Sequence, residues 1–98
     1  MKKLTATQIR FLRAQAHHLR PLVLVGDGGL SAAVLKEIAT AIKTHELIKI
    51  KAAQGERAER EVMLTTICET VGAAAIQHIG KTLVVYKPAA PAKLVLPR

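Results

Sequence analysis

A chain of 98 residues, half of them apolar and 22% charged, has the size and composition of one globular domain and can bury roughly 60–70% of its unfolded surface without a metal. Its single cysteine excludes an internal disulfide and favours a reduced, cytoplasmic setting, and no run approaches the ~20 apolar residues of a membrane span. The formal net charge of +8 makes a polyanion the natural partner.

The opening Met1-Lys2-Lys3-Leu4 imitates the basic start of an export signal, but Thr5, Thr7, Gln8, Arg10 and Arg13 break any apolar run behind it. With Thr5 or Thr7 as N-cap, Ile9, Leu12, Ala16 and Leu19 recur at spacings of three and four. They predict an amphipathic helix that ends before Pro21. Arg10, Arg13, His17 and Arg20 form a basic stripe on that helix, rotated about 100° from the apolar one. The run Leu22-Val23-Leu24-Val25, bounded by Pro21 and Gly26, predicts a short strand buried on both faces. Ser31 caps a second helix whose stripe is Val34, Leu35, Ile38, Ala41 and Ile42, and which stops near His45.

Leu47-Ile48-Lys49-Ile50-Lys51 alternates, so Lys49 and Lys51 share the wet face of a strand. After the Gln54-Gly55 turn, Glu56 to Val71 predicts a third helix with acids in its first turns and Val62, Leu64, Ile67, Cys68 and Val71 on its buried side. Gly72 is its stop. Ala73 to Ile79 and Thr82 to Lys87 predict a hairpin around Gly80-Lys81. The order α-β-α-β-α-β-β predicts an α/β fold, a two-layer sandwich with a mixed four-stranded sheet. The domain spans residues 1–88. Residues 89–98 form an extended Pro/Ala-rich tail in which Leu94-Val95-Leu96 could add briefly to a sheet edge.

The charge is unevenly spread. Residues 1–26 carry +5 and residues 70–98 carry +4, against −1 between them. No basic segment has the bulky apolar face of an interfacial helix, so nucleic acid is favoured over a membrane surface. Gly26-Asp27-Gly28-Gly29, between a strand and a helix start, is a GxxG loop whose backbone can approach a phosphate and offer it amide donors. The bland alternative is a tight turn, and Asp27 works against an anion there. The basic stripe, Lys49 and Lys51 on the second strand, and Lys36 and Lys43 on the second helix could complete a groove. Only Phe11 and Tyr86 are aromatic, too few for a base-stacking sheet platform, so backbone or shape recognition remains.

Gly80-Lys81-Thr82 imitates the end of a nucleotide-binding loop, but its first glycine position is Ala75, the intervening residues read as strand, and no helix follows. His17, His18, His45, His78 and Cys68 lack zinc-site spacing, and Ser31, Thr65 and Thr66 have no evident base and acid partners. Neither metal, cofactor, small-molecule substrate nor catalysis is expected.

Several blocks in order carry a resemblance. They are Leu4-Thr5 to His17, the run Arg20-Pro21-Leu22-Val23-Leu24-Val25-Gly26 into the GxxG loop, and His45-Glu46-Leu47-Ile48-Lys49-Ile50-Lys51. Gln77-His78-Ile79-Gly80-Lys81-Thr82-Leu83-Val84-Val85-Tyr86-Lys87-Pro88 and Leu96-Pro97-Arg98 close the set. Over essentially its whole length the chain resembles the YhbY family, the stand-alone bacterial form of the CRM domain named for chloroplast RNA splicing and ribosome maturation. The resemblance implies a fold similar to the C-terminal domain of translation initiation factor 3, an RNA-binding GxxG loop, and association with precursors of the large ribosomal subunit. RNA-binding residues are then expected at Gly26, Asp27, Gly28, Gly29, Arg10, Arg13, Arg20, Lys36, Lys49 and Lys51. The function expected is ribosome biogenesis by a cytoplasmic protein, with a monomer as the default state. The alternative is a protein-interaction module that docks an acidic protein and binds RNA incidentally.

Overall fold

Thr5 opens the first helix with a reciprocal cap: its hydroxyl accepts from the Gln8 amide at 3.1 Å, and the Gln8 side chain accepts from the Thr5 amide at 3.0 Å. The computed structural model describes residues 3–98, so Met1 and the charge of Lys2 lie outside the described residues. The elements follow in the expected order. They are α1 (Ala6–Ala16), β1 (Pro21–Val25), α2 (Ala32–His45), β2 (Leu47–Ala52), α3 (Arg57–Val71), β3 (Ala74–Ile79) and β4 (Thr82–Tyr86). The sheet runs β1-β2-β4-β3, with β1 parallel to β2 and the other pairs antiparallel, so it is mixed and four-stranded.

The two-layer expectation gives way to cover on both faces. Ile48, Ile50 and Ala52 of β2 join Val23, Val25, Leu83 and Val85 beneath α2 and α3. Leu47, Val84, Tyr86 and Ile76 point the other way and pack with Leu12 and Ala16 of α1. The physical reason lies in β4: Leu83-Val84-Val85-Tyr86 is apolar at every position, so neither face can be left to water.

Four local expectations are also corrected. The first helix ends before Pro21 but already at Ala16, so Leu19, expected in its apolar stripe, lies beyond it. The Leu19 amide bonds to the Ala16 carbonyl at 2.9 Å, a three-residue closure that tightens the chain so that Arg20 can extend ahead of the proline. The β1 strand is an edge strand, not one buried on both faces: Val23 and Val25 are buried, but Leu22 is 49% and Leu24 60% exposed. Val62 is 66% exposed, because it lies about 160° around α3 from the buried Leu64. Residues 94–96 form no strand; Leu94 and Leu96 instead pack against the α1 cluster.

What holds that last segment is a buried carboxylate. Glu46 caps the end of α2 at φ 62°, in the left-handed region that a side-chain-bearing residue occupies only under constraint. It is 1% exposed and accepts from the amides of Ala89 (2.9 Å), Lys93 (2.8 Å) and Leu94 (3.0 Å). Its own carbonyl accepts from the Lys87 amide. Burial pushes the Glu46 carboxyl up, but the three amides and the Lys93 ammonium outweigh it and hold the group below its usual value of 4.5.

A carboxyl depressed on folding contributes stability that is present above its unfolded value and is lost as pH falls through the folded one. Denaturation measured from pH 7 to pH 3 is therefore expected to show a loss of stability that starts below about pH 4.5 and is diminished in Glu46→Gln. At pH 7, Glu46→Ala strands three amides and should cost about 2–4 kcal/mol.

Candidate nucleic-acid interface

The α1 helix packs on β2, β3 and β4, but only over the half of the sheet that holds Leu47, Val84, Tyr86 and Ile76. Beyond it the same face is open. The register places Leu24 beside Lys51, Lys51 beside Thr82, and Thr82 beside Ile79, one row across all four strands. Lys49 lies one step nearer α1, beside Val84, and pairs with Pro21, the residue after Arg20. Lys51, Leu24 and Ile79 are exposed, and Lys49 is half-buried. Among the described residues the ion pairs are those of Glu61 with Arg57 and His78, so Arg20, Lys49, Lys51 and Lys81 are free of carboxylates.

The glycine loop opens at the end of this face. Val25 runs into Gly26, and its carbonyl accepts from the Ala53 amide, while the Ala52 amide donates to the Lys81 carbonyl at 2.8 Å. Three connections therefore gather at one end of the sheet: residues 26–31, 53–56 and 80–81. The Gly29 amide is not free. It donates to the Gly26 carbonyl at 3.0 Å and closes a turn in which Gly29 has φ 65°. Ser31 spends its hydroxyl on the Val34 amide. The amides of Asp27 and Gly28, with Ala32 and Ala33 in the first turn of α2, remain as donors. A Cβ added at Gly26, Gly28 or Gly29 would meet nothing within 4 Å, so the loop is uncovered. Asp27 is exposed at its tip.

The other candidate residues part company. Arg13 turns to the far edge of the sheet, where its Nε donates to the Ile76 carbonyl at 3.0 Å. Arg57 and Arg60 continue the same edge, donating to the carbonyls of His78 (3.4 Å) and Gly80 (3.1 Å). Arg60 also reaches the Gly55 carbonyl at 2.7 Å and His78 Nε2 at 3.4 Å, while His78 Nδ1 faces the Glu61 carboxylate. Arg10 stands about 160° around α1 from buried Leu12, and Lys36 the same angle around α2 from buried Ile38, so both point away from the sheet, one from each face. The basic stripe is not continuous, because Arg20 lies beyond the helix. Lys49, Lys51 and Gly26-Asp27-Gly28-Gly29 thus lie along the β1–β2 side, with Arg20 at the other end of β1 from the loop, and Arg10, Arg13 and Lys36 lie elsewhere.

Lys81 is the basic residue that sequence reading passed over as the relic of a nucleotide-binding loop. Its signal was the hairpin: a turn that starts β4 antiparallel to β2 must lie beside the end of β2. Tyr86 is buried and Phe11 packs against the α1 cluster, so neither offers a stacking face. Burial, with Glu69 adding to it, pushes the Cys68 thiol up to about 11, leaving it protonated and unreactive near neutral pH. Among the described residues no cluster of His, Cys, Asp and Glu could hold a metal, and no helix is long and apolar enough to cross a membrane.

The chain is similar to known proteins over most of its length. The family model described as the CRS1 / YhbY (CRM) domain matches residues 4–87. An RNA-binding protein of Haemophilus influenzae is 43% identical over 98 residues, covering 100% of this chain and 99% of its own. A probable RNA-binding protein of Pseudomonas aeruginosa is 38% identical over 84 residues, 86% of this chain and 81% of its own. The solution structure of a hypothetical protein from Staphylococcus aureus superposes with a TM-score of 0.85 at 29% identity, over 97% of this chain and all of that one.

The division of labour among the arginines is testable without any ligand. Arg13→Ala leaves the Ile76 carbonyl unpaired at a partly buried edge and should lower stability by about 1 kcal/mol. Thermal denaturation of Arg13→Ala beside Arg10→Ala is expected to show the loss in the first and not in the second.

Proposed function

The chain belongs to the CRS1/YhbY (CRM) domain family, and on that footing we propose that it is an RNA-binding protein of ribosome assembly, which holds ribosomal RNA or a large-subunit precursor by its sugar-phosphate backbone. The observation that carries the reading is the pair Lys49 and Lys51, unpaired on the open half of the sheet, with an uncovered glycine loop at the end of their row. Cations on one face attract the phosphates from a distance. The short-range part falls to the backbone amides of Asp27 and Gly28 and the first turn of α2, which suit phosphate oxygens and need no base. Asp27 repels an anion, so the loop contributes through its amides while the lysines, with Arg20 and Lys81, supply most of the charge. Arg10 and Lys36 lie outside this surface and act at most as long-range attractors. No bond is made or broken; the chemistry is neutralisation and positioning.

If Arg20, Lys49, Lys51 and Lys81 each displace one counterion, log K against log salt should fall with a slope of about −3 to −4. Replacing Lys49 and Lys51 together with alanine should flatten it by about 1.5, whereas Arg10→Ala should change it little. Fluorescence anisotropy with ribosomal RNA fragments measures both, and an unaltered slope in the double variant counts against the surface. Gly28→Asp adds a negative charge to the loop where φ is not left-handed and space is open, so the fold should survive while RNA affinity drops. Unchanged affinity would reduce the loop to a turn. Sucrose-gradient fractionation of cell extracts tests the ribosomal part: the protein should travel with large-subunit precursors, and its confinement to the free fractions would remove that part.

A further inference from the structure

The open half of the sheet is not uniformly basic, and its pattern has a direction. Leu24 of β1 projects on the same face as Lys51 of β2 and lies directly beside it, while the exposed Leu22 falls at a register shift between Pro21 and Val23 and lines the cleft at the α1 end with Leu47. A column of leucines, interrupted by the bulge at Leu22, therefore runs roughly 5 Å from a column of lysines that repeats every second residue, or about 6.6 Å. At its α1 end the leucine column enters a cleft of about 250 Å³ lined by Leu19, Leu22, Leu47 and Leu94, with Gln15, Arg20 and His45 among its polar members. The one acid next in sequence, Glu46, has its carboxylate turned to the tail amides.

We propose that this face is a track for an unpaired RNA segment, with nucleobases laid on Leu22 and Leu24 and one seated in the Leu19–Leu22–Leu47–Leu94 cleft, while their phosphates follow Lys49, Lys51 and Arg20. The proposal rests on the RNA-binding reading above and adds to it the class of RNA: single-stranded rather than duplex. The complementarity is twofold. An extended single strand is itself two-sided, apolar bases along one flank and charged phosphates along the other, and the β1–β2 face repeats that division in the same direction. A duplex stacks its base faces inward and presents phosphate, ribose and the polar base edges, which would use the lysines and leave the leucines facing water. The cleft is smaller than the usual range of small-molecule sites and suits one flat ring, with the Gln15 amide and the His45 imidazole at hand for its polar edge. Aliphatic side chains replace the aromatic platform that this chain lacks, so the contribution per base is modest.

The test uses the intact protein and three RNAs: a short single strand of mixed sequence, its duplex, and an abasic strand of equal length and charge. The wild type should bind the single strand about tenfold or more tighter than either of the others. In Leu22→Ser combined with Leu24→Ser, both exposed positions, that preference should shrink by about three- to tenfold with no change in salt slope, because leucine touches no phosphate. The abasic comparison needs no variant, so it stands even if the double substitution fails to fold. Equal affinity of the wild type for the single strand and the abasic strand overturns the track and leaves backbone binding in place. Absence of binding to all three RNAs, and to ribosomal RNA, removes the underlying reading as well. Light scattering decides the remaining possibility: a wild-type dimer that the double variant dissolves, with RNA affinity unchanged, would make the leucines an interface between copies and overturn the proposal.

Discussion

The β4 strand is apolar on both sides from Leu83 to Tyr86, Leu47 extends its α1 face into β2, and that forces cover on both sides. The α2 and α3 helices, 14 and 15 residues long, supply it on one face. On the other, α1 has only 11 residues, a rod of about 16 Å, and it needs Leu94 and Leu96 of the tail to finish its half. Where the cover stops, the sequence of β2 changes character, from Leu47 to Lys49 and Lys51. The polar surface is thus the direct complement of the buried one: lysines stand on the strand at the positions that no helix reaches.

The cations divide by place. Three arginines, Arg13, Arg57 and Arg60, donate to successive outward carbonyls of β3 and its turn, at Ile76, His78 and Gly80. The planar guanidinium, with donors fixed in a fork, suits that task, and it blunts an edge that would otherwise invite another strand. Lys49 and Lys51, compact charges on flexible stems, are left free on the sheet face, while Lys87 and Lys93 turn to the carbonyls of Val71 and Thr44. The positive charge of the chain is therefore part scaffold and part surface, and the net total of +8 overstates what is available to a polyanion.

Much of the fold was legible in the residues. The caps Thr5 and Ser31, the stop at Gly72, the alternation of β2 and the Gly80-Lys81 turn each carry their own physical signature, and the order of elements followed from them. Layering was harder, because periodicity says which residues of a helix are buried but not against which face of a sheet. The apolar run of β1 looked like a central strand because composition alone does not distinguish a covered leucine from a bare one. The role of Glu46 was invisible: its partners are backbone amides more than 40 residues away, which leave no mark on sequence spacing. For the site, the alternation of Lys49 and Lys51 was informative, whereas the spacing of Arg10, Arg13, His17 and Arg20 presumed a helix longer than the one that forms.

The Gln8 side-chain amide donates to the Pro97 carbonyl at 3.0 Å, so the first turn of α1 and the last residues of the chain touch. They do so beside Tyr86 and Pro88, at the end of the sheet away from the glycine loop. This clasp, with Leu94 and Leu96 packed against the α1 cluster, makes the tail a strap across one helix, so trimming it before Leu94 would bare the side chains around Leu12 and Tyr86.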